Sequence, residues 1–413
     1  MGITSYQEVN MPLTLLLDLD DTLLDTNLEA FVPAYFQALS QHMSAHVPPN
    51  AMLRALVNGM HLMNENEDPT RTLQEVFETY FYPTLGISRE ALSDVIEDFY
   101  DNVFPTLGGH TRVRPDAVAL IEWALACGFR IAIATDPLMP RKATYHRVRW
   151  AGLDPDKLEL ISTFDHFHFS KTHPAYYAEV LGRLGWPDGP VLMVGNDITR
   201  DLIPAHRLGL ATYLIDGDSA SSSGPFDAAQ DKFEAGRGKL ADLRPWLESI
   251  NLSALEPSFK SRVAILGIMA STPAVLQSFS SPLTREQWRH EPARDDWALN
   301  EIVCHLRDTE REVHHLQLDM LLERGDAFIP RPDTGVWASE REYLSENGPA
   351  ALAGFAAARL ENLNRLRNLE DEVWSRKARH AIFGPTDFTE IIGFVADHDR
   401  MHVQQAWKTL QSV

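Results

Sequence analysis

The first 250 residues alternate short apolar runs with longer stretches of helical periodicity. Because strands separated by helices are joined by crossover connections, this alternation predicts a parallel sheet of an α/β fold. The stretch 28–110 lacks a strand pattern and carries apolar residues at helix-like intervals, which predicts helices inserted after the first strand. The predicted strands are 14–17, 130–134, 158–162, 191–194 and 211–215.

The pattern changes after residue 258. Long helical periodicity without strand alternation then predicts a four-helix bundle, with helices at 262–279, 298–324, 348–369 and 387–410. A Ser/Gly-rich stretch at 219–224 predicts a surface loop, and a short helix near 240–249 closes the first unit. The predicted architecture is a Rossmann-like α/β core (1–27 and 111–250), a helical cap (28–110), a linker (251–258) and an all-α four-helix bundle (259–413).

Composition and charge narrow the classes of partner. The length of 413 residues predicts two or three domains, and 44% apolar residues fit globular packing. A formal net charge of -21 repels phosphate backbones, so we expect no nucleic-acid partner, and an anionic substrate needs a local metal ion or cation. Two cysteines, Cys127 and Cys304, argue against a disulfide framework and fit a cytoplasmic protein. The polar residues 1–10 and the expected lack of a span-length segment predict neither export nor membrane insertion.

Two carboxylates end the first predicted strand. Asp18 and Asp20 are two residues apart, so in an extended segment their side chains lie on one face. Two anions held so close share a metal ion or a proton. The alternative is a strand followed by an acidic turn.

Three further segments carry polar residues in an order that suits phosphate chemistry. Thr135 follows the strand at 130–134, Lys171 lies in the next loop, and Asp197 and Asp201 follow the strand at 191–194. Taken singly, Thr135 is also typical of a strand end, Lys171 of a solvated surface, and the two aspartates of a helix start. Together with Asp18 and Asp20, the segments resemble the haloacid dehalogenase superfamily of phosphohydrolases over about 13–250.

The resemblance implies a division of labour that also makes chemical sense. Asp18 attacks phosphorus to form an aspartyl-phosphate, and Asp20 protonates the leaving oxygen and then activates water. Thr135 and Lys171 hold the phosphoryl oxygens, and Mg²⁺ is held by Asp18, the Asp20 backbone carbonyl and Asp197, with Asp201 nearby. The dehalogenases lack the second Asp of the opening motif, so Asp20 favours a phosphatase.

Two positions depart from the family pattern. Asp136 stands where many relatives have Asn, which adds negative charge near the phosphate and is expected to lower its affinity. Asn196 stands where many have Asp, so the ligand role passes to Asp197. The helical insertion resembles a cap that excludes water and selects the leaving group. The expected substrate is a small phosphorylated metabolite, and its identity stays open.

The second candidate site lies in the bundle. His398 and His402 are one helical turn apart, so both can bind one ion, and His305 supplies a third nitrogen from another helix. His42 and His46 have the same spacing without such surroundings, which makes spacing alone a weak criterion. With Trp297, Glu301 and Gln405 nearby, the region resembles the DinB-like metal-binding four-helix bundles. Nitrogen ligands with open positions suit Zn²⁺, Ni²⁺ or Fe²⁺.

The leading hypothesis is therefore a cytoplasmic, Mg²⁺-dependent phosphatase fused to a DinB-like bundle. One alternative makes the bundle a metal-dependent thiol transferase or hydrolase with the first domain accessory. Another makes the fold a non-catalytic binding or regulatory module in which the bundle supplies homodimerisation. Intact catalytic positions favour the first hypothesis.

Overall fold

The computed structural model describes residues 12–216 and 234–412, apart from 282, 295 and 324. The predicted loop at 219–224 lies outside these residues. A six-stranded parallel sheet forms the α/β core, with strand order β5-β4-β1-β6-β7-β8. Its strands are β1 (Thr14–Leu17), β4 (Arg130–Ile133), β5 (Leu160–Ile161), β6 (Val191–Gly195), β7 (Ala211–Ile215) and β8 (Gly236–Gly238).

The register of the central strands positions the first candidate site. Leu17 at the end of β1 pairs with Ile133 of β4 and with Val194 of β6. Because the three strands are parallel, the residues that follow them emerge side by side at one edge of the sheet. The parallel α/β prediction is confirmed, and β8 adds a strand that the sequence pattern missed, since Gly236 and Gly238 carry no apolar alternation.

Helices cover the sheet on both faces. An apolar cluster on one face contains Leu15, Ile121 and Leu243, and the cluster on the other face contains Leu16 and Met193. The alternation of Leu15 and Leu16 between faces follows from the period of two in a strand. The covering helices are α5 (Pro115–Ala126), α6 (Arg141–Trp150), α7 (Pro174–Arg183), α8 (Ile203–Leu208) and α9 (Leu240–Ser249).

Four helices form the insertion after β1. Two short antiparallel strands, β2 (Leu24–Thr26) and β3 (Thr111–Val113), pair where the chain enters and leaves this insertion. Aromatic packing fills its interior. The helices are α1 (Leu28–His42), α2 (Pro49–Asn64), α3 (Leu73–Leu85) and α4 (Arg89–Asp98).

The C-terminal unit is a helical bundle with a small sheet at one side. The sheet corrects the prediction that this unit contains no strand: β9 (Ala327–Ile329), β10 (Lys377–His380) and β11 (Gly384–Asp387) pair in the order β11-β10-β9. These strands have three or four residues each, which is too short for a periodicity signal. The helices are α10 (Arg262–Ser280), α11 (Arg285–Trp288), α12 (Leu299–Thr309), α13 (His315–Glu323), α14 (Trp337–Glu340), α15 (Gly348–Arg367), α16 (Asp371–Trp374) and α17 (Phe388–Leu410).

The bundle and the α/β core share one buried apolar cluster. Tyr176 of α7 and Ile268 of α10 belong to it, as do residues from both sides of the connection between the domains. Gly185, with φ of 75°, lies so close to Trp407 of α17 that a Cβ atom would be 2.5 Å from the indole ring. The segment 251–258 also packs against the core, since Leu255 is buried and Ser258 N donates to Gly209 O (2.9 Å). The two domains are therefore packed together extensively.

Helix α10 overturns one sequence expectation. It is long and apolar enough to cross a membrane, whereas no segment of that kind was expected. Within the protein, 72% of its most apolar window is buried, against α7, α15 and α17. Its hydrophobicity is thus accounted for by packing in the core of the bundle.

Candidate active site and metal centre

The first candidate site lies at the carboxyl ends of β1, β4 and β6. Asp18 N donates to Val194 O (2.9 Å), which fixes Asp18 beside the end of β6. The Asp18 side chain is buried, whereas that of Asp20 is 21% exposed. The chain turns sharply at Asp21, whose φ of 55° is unusual for a residue with a Cβ atom. Buried Asp18 therefore stands beneath the more accessible Asp20.

Lys171 lies between two buried aspartates. Its Nζ donates to Asp18 Oδ1 (2.5 Å) and also pairs with Asp201. Burial alone would lower the pKa of Lys171, but the charges of Asp18 and Asp201 outweigh it and raise that pKa well above its usual range. Burial, reinforced by the Asp18 charge, raises the pKa of Asp201. Lys171 is thus a fixed cation beside Asp18.

The loop after β4 is held by buried hydroxyl groups. Thr135 is buried, and its carbonyl oxygen accepts hydrogen bonds from Ser162 Oγ (2.6 Å) and Tyr176 OH (2.8 Å). These bonds fix the loop that presents the Thr135 hydroxyl. Sequence reasoning assigned Tyr176 no role, because one tyrosine in a helical run gives no signal.

The negative charge of Asp136 is paired. Its carboxylate accepts a hydrogen bond from Lys171 N (3.2 Å) and forms an ion pair with Arg200. Arg200 Nη2 also donates to Asn64 Oδ1 (3.1 Å) at the end of cap helix α2. Asp136 therefore joins the loop after β4 to the cap through Arg200. The sequence did not predict this connection.

Asp197 and Asp201, which follow β6, make different hydrogen bonds. Asp197 Oδ1 accepts from Thr199 N (2.8 Å), Thr199 Oγ1 (2.7 Å) and Arg200 N (3.1 Å), so this oxygen caps the following π-helical turn. Asp201 Oδ2 accepts from Asp197 N (2.9 Å). Asn196 Oδ1 accepts from Thr22 Oγ1 (3.2 Å), which joins the loop after β6 to the loop after β1. Asn196 therefore contacts the loop after β1, although it departs from the family pattern at this position.

Arg147 is the residue of this site that sequence reasoning missed. It lies on α6, is 5% exposed, and pairs with the carboxylate of Asp20. Burial lowers its pKa to about 10, so the guanidinium stays charged at neutral pH. The helix also carries Arg141 and Arg149, both exposed, and nothing in the sequence distinguishes the buried arginine from these two.

The oxygen donors of this site fit a hard divalent cation. Asp18, the Asp20 carbonyl and the side chains of the 196–197 loop come from adjacent strand ends, and Mg²⁺ prefers oxygen ligands. Asp197 retains one carboxylate oxygen that does not cap the π-helical turn. Within the described ranges, the carboxylates at 18, 20, 197 and 201 do not form a group of three ligand atoms within 4.8 Å.

The three predicted histidines of the bundle do form such a group. One ligand nitrogen each from His305, His398 and His402 lies within 4.8 Å of the other two. His305 Nε2 is 3.2 Å from His398 Nε2. Two nitrogens bound tetrahedrally at 2.0 to 2.1 Å from one ion would be about 3.3 Å apart, so this spacing fits a shared metal ion.

Burial keeps these imidazoles uncharged. It lowers the pKa of His305, together with the charge of His402, to about 3, and burial lowers the pKa of His402 to about 4. Burial and the neighbouring histidines also lower the pKa of His398 well below its usual value. Neutral imidazole is the form that binds metal ions, so all three are ready to bind at neutral pH.

Surrounding side chains orient the histidines. His402 Nδ1 is 2.9 Å from Gln405 Oε1, so this nitrogen donates to the amide and Nε2 is left for an ion. The Trp297 indole is stacked parallel to the His402 ring at 5.9 Å. Glu301 instead accepts from Ala298 N (3.0 Å) at the start of α12, so its role is in helix capping.

A buried ion-pair network lies behind the histidines. Arg359 pairs with Glu310 (2.8 Å) and with Asp399, and all three side chains are fully buried. His314 packs edge-on against His398 and has Nδ1 3.0 Å from Glu310 Oε2. A π-helical turn at Glu310–His314 produces this placement, and no sequence periodicity predicts such a turn.

The histidine pair with the same spacing makes other contacts. His42 Nε2 is 3.1 Å from Val95 O and 3.2 Å from Asp98, whereas His46 is exposed. Cys304 is buried beside the histidine site, and burial raises the pKa of its thiol to about 12.

Comparison with known proteins gives two matches along the chain. Residues 13–209 match the family model of haloacid dehalogenase-like hydrolases, and residues 269–406 match that of the DinB superfamily. The predicted resemblances are confirmed. A search of curated proteins gave no significant match.

Solved structures similar to each half are also found. The HAD phosphatase from Thermococcus onnurineus is 17% identical and has a TM-score of 0.38. The match covers 57% of this chain and 97% of the phosphatase chain. YfnB from Bacillus subtilis, an HAD-hydrolase structure with bound magnesium, is 22% identical and covers 58% and 99%, with a TM-score of 0.37. YfiT from Bacillus subtilis, with an unusual four-helix bundle topology, is 18% identical and covers 37% and 88%, with a TM-score of 0.33.

Proposed function

Because the chain joins a haloacid dehalogenase-like hydrolase domain to a DinB-superfamily domain, we propose that it is a Mg²⁺-dependent phosphomonoester hydrolase with a separate transition-metal centre. The proposed substrate is a small phosphorylated metabolite. We propose that the protein acts in the cytoplasm and binds neither nucleic acid nor membranes. The observation that carries the proposal is the buried Asp18, held beside the Lys171 ammonium with Asp20 two residues away.

In the first step, an Asp18 carboxylate oxygen forms a bond to phosphorus. The bond from phosphorus to the leaving oxygen breaks, and the protonated form of Asp20 gives its proton to that oxygen. Lys171 and the Thr135 hydroxyl stabilise the charge on the phosphoryl oxygens. When bound by Asp18, the Asp20 carbonyl and Asp197, with Asp201 behind them, Mg²⁺ would supply further charge neutralisation.

In the second step, the aspartyl-phosphate is hydrolysed. Asp20, now ionised, takes a proton from water, and the resulting oxygen attacks phosphorus and releases the Asp18 carboxylate and inorganic phosphate. Arg147 pairs with the Asp20 carboxylate and fixes its position beside Asp18 in both steps.

A panel of phosphomonoesters tests the proposal on the full chain. We expect hydrolysis that requires Mg²⁺, is abolished by excess chelator, and falls by roughly four to six orders of magnitude in Asp18→Asn, which lacks the nucleophile. Asp25→Asn is a matched control, because Asp25 lies nearby in strand β2 and is exposed. Equal inactivity of wild type and Asp18→Asn across the panel would contradict the proposal.

We further propose that the bundle centre binds Zn²⁺, Ni²⁺ or Fe²⁺ through His305, His398 and His402. The close spacing and uncharged state of the three imidazoles support this. Metal analysis of the purified full chain tests it, with one transition-metal ion per chain as the expected result. Less than a tenth of that amount after incubation with each metal would contradict it.

A further inference from the structure

An apolar cavity of about 340 Å³ lies between the cap helices and the core segment 138–142. Its walls are mainly aromatic rings and methionine side chains from the four cap helices, together with the core segment 138–142 that follows the loop after β4. Residues that represent these walls are Phe31, Tyr35, Met60, Phe77, Phe81 and Met139.

Most of the charged residues that line this cavity are paired with other charged groups. Arg89 Nε is 3.3 Å from Glu78 Oε1, and Lys142 pairs with Glu97 and with Asp101 (2.7 Å). The side chains of Arg89 and Lys142 are 58% and 41% exposed, so their charges are also hydrated.

Arg141 is exposed and donates to Tyr145 OH. Asp165 Oδ2 is 3.1 Å from His166 Nε2, whereas its buried Oδ1 has no hydrogen-bond partner among the described residues. The apolar walls therefore determine which ligand is favoured.

The cavity volume gives the size of that ligand. A dry apolar cavity of about 150 Å³ is large enough to bind benzene. The cap cavity has roughly twice that volume, which suits a medium-length alkyl chain or a two-ring aromatic group. Small sugars and short carboxylic acids would leave most of its walls without contacts.

One buried arginine connects the cavity with the catalytic pair. The Arg147 guanidinium is 5.9 Å from the Phe31 ring centre, and Arg147 Nη1 is 3.4 Å from Met139 Sδ. The same guanidinium pairs with Asp20, the proposed acid for the leaving oxygen. Arg147 Nε is buried and has no hydrogen-bond partner among the described residues, so one polar donor at this junction is not used within the protein.

We propose that this cavity receives the apolar part of the leaving alcohol, so that the preferred substrates are phosphate monoesters of medium-chain or aromatic alcohols. The inference rests on the proposed phosphatase activity. The phosphoryl group lies over Asp18, its ester oxygen is next to Asp20, and the hydrocarbon passes Arg147 into the cavity between Phe31 and Met139. Arg147 is thus a positioning residue at the boundary between the polar and apolar halves of the substrate.

A series of n-alkyl phosphates from ethyl to decyl tests this on the full chain with Mg²⁺. The leaving-group pKa hardly changes along the series, so the trend in kcat/KM reports binding of the chain. We expect kcat/KM to rise about three- to fourfold for each added CH₂ until the cavity is filled. Glucose 6-phosphate should be hydrolysed at least a hundredfold less efficiently than octyl phosphate. A flat series, or a preference for the sugar phosphate, would overturn the inference.

Two variants on one helix localise the effect. Met60→Trp adds bulk inside the cavity and should shift the preferred chain length downward by several CH₂ groups. Leu53→Trp makes a matched addition on the exposed face of α2 and should keep the wild-type preference. If both variants keep that preference, the hydrocarbon is bound elsewhere and the inference is wrong.

Calorimetry with the inactive Asp18→Asn protein separates the two claims. Octyl phosphate should bind at least tenfold more tightly than ethyl phosphate even though neither is turned over. If no ester in the series is hydrolysed by wild type, the proposed function fails, and tight octyl phosphate binding would still support the cavity as an alkyl site. Equal binding of the two esters would contradict the cavity assignment whatever the activity.

Discussion

The carboxylate site and the histidine site bury ionisable groups in opposite ways. In the α/β core, opposite charges meet inside the site, since Lys171 contacts Asp18 and Arg147 contacts Asp20. In the bundle, the site itself consists of uncharged imidazoles, and the charges lie one layer behind, where Arg359 pairs with Glu310 and Asp399.

This difference predicts how each site responds to a cation. In the core site, the charges of Lys171 and Arg147 already balance those of Asp18 and Asp20. A divalent ion there would bind in a pocket that is rich in oxygen atoms and already holds both signs of charge. The histidine site offers three uncharged nitrogen ligands, which suit a borderline transition-metal ion. The variants below each remove one element of this contrast.

Lys171→Met should have the largest effect. It removes the cation that we propose binds the phosphoryl group, which should lower kcat by about 10²- to 10³-fold. It also leaves Asp18 and Asp201 unpaired, which should reduce the free energy of unfolding by about 3–5 kcal/mol. Added Mg²⁺ should restore part of that loss, because it binds the carboxylates of the folded state only. Urea unfolding with and without Mg²⁺ measures this.

Lys157→Met is the control for Lys171→Met, since Lys157 is an exposed lysine of the same domain. It should leave both activity and stability near wild type. If Mg²⁺ stabilises neither Lys171→Met nor Lys157→Met, the carboxylates do not form a cation site.

Arg359→Met should destabilise the bundle without a rescue by Mg²⁺. The substitution removes the guanidinium that pairs with two buried carboxylates, Glu310 and Asp399, at a cost of about 3–5 kcal/mol. Arg365→Met on the same helix breaks the more exposed pair with Asp319 (2.5 Å) and should cost about 1 kcal/mol or less. Chemical denaturation compares the two variants. Equal losses in the free energy of unfolding would show that the buried network contributes no more to stability than the exposed ion pair.

His398→Ala should weaken transition-metal binding by more than about a hundredfold, since the ion loses one of three nitrogens. Phosphatase activity should change less than twofold, because no contact among the described residues joins His398 to the carboxylate site. His46→Ala, from the pair with equal spacing, should leave the metal content unchanged. Metal analysis after dialysis decides this, and full retention of the ion by His398→Ala would exclude it as a ligand.

Asp136→Asn should have the smallest effect. Since Arg200 already pairs with Asp136, removing the carboxylate charge should change KM by about threefold or less. Steady-state kinetics on the best substrate of the panel measures this. A tenfold lower KM would mean that the Asp136 charge repels phosphate, as the sequence alone led us to expect.

The sequence predicted those parts that depend on regular periodicity. Strands β1 and β7 have the predicted bounds, and the families of both domains follow from motifs at strand ends and on one helix face. It did not predict Arg147, because one buried arginine among several on α6 has no distinguishing pattern. His314 was missed because a π-helical turn shifts the helix face.

The sequence also did not predict contacts between distant segments. The bond from Arg200 to Asn64 joins the β6 loop to the cap, and Trp407 packs on Gly185 across the two domains. Such pairs depend on how whole elements dock, which local periodicity does not contain. Because the domains share a buried cluster, functional assays should use the full chain.

Trapping the covalent intermediate tests the central claim most directly. With an aryl phosphate whose leaving group needs no proton, the Asp20→Asn variant should still accept a phosphoryl group on Asp18 but hydrolyse it slowly. Acid quenching during turnover with Mg²⁺ should then leave a phosphoryl group on the peptide that contains Asp18. The account predicts that label on Asp18 and its loss in the Asp18→Asn, Asp20→Asn double variant. Hydrolysis by wild type with no label on Asp18, or with label on another residue, would contradict it.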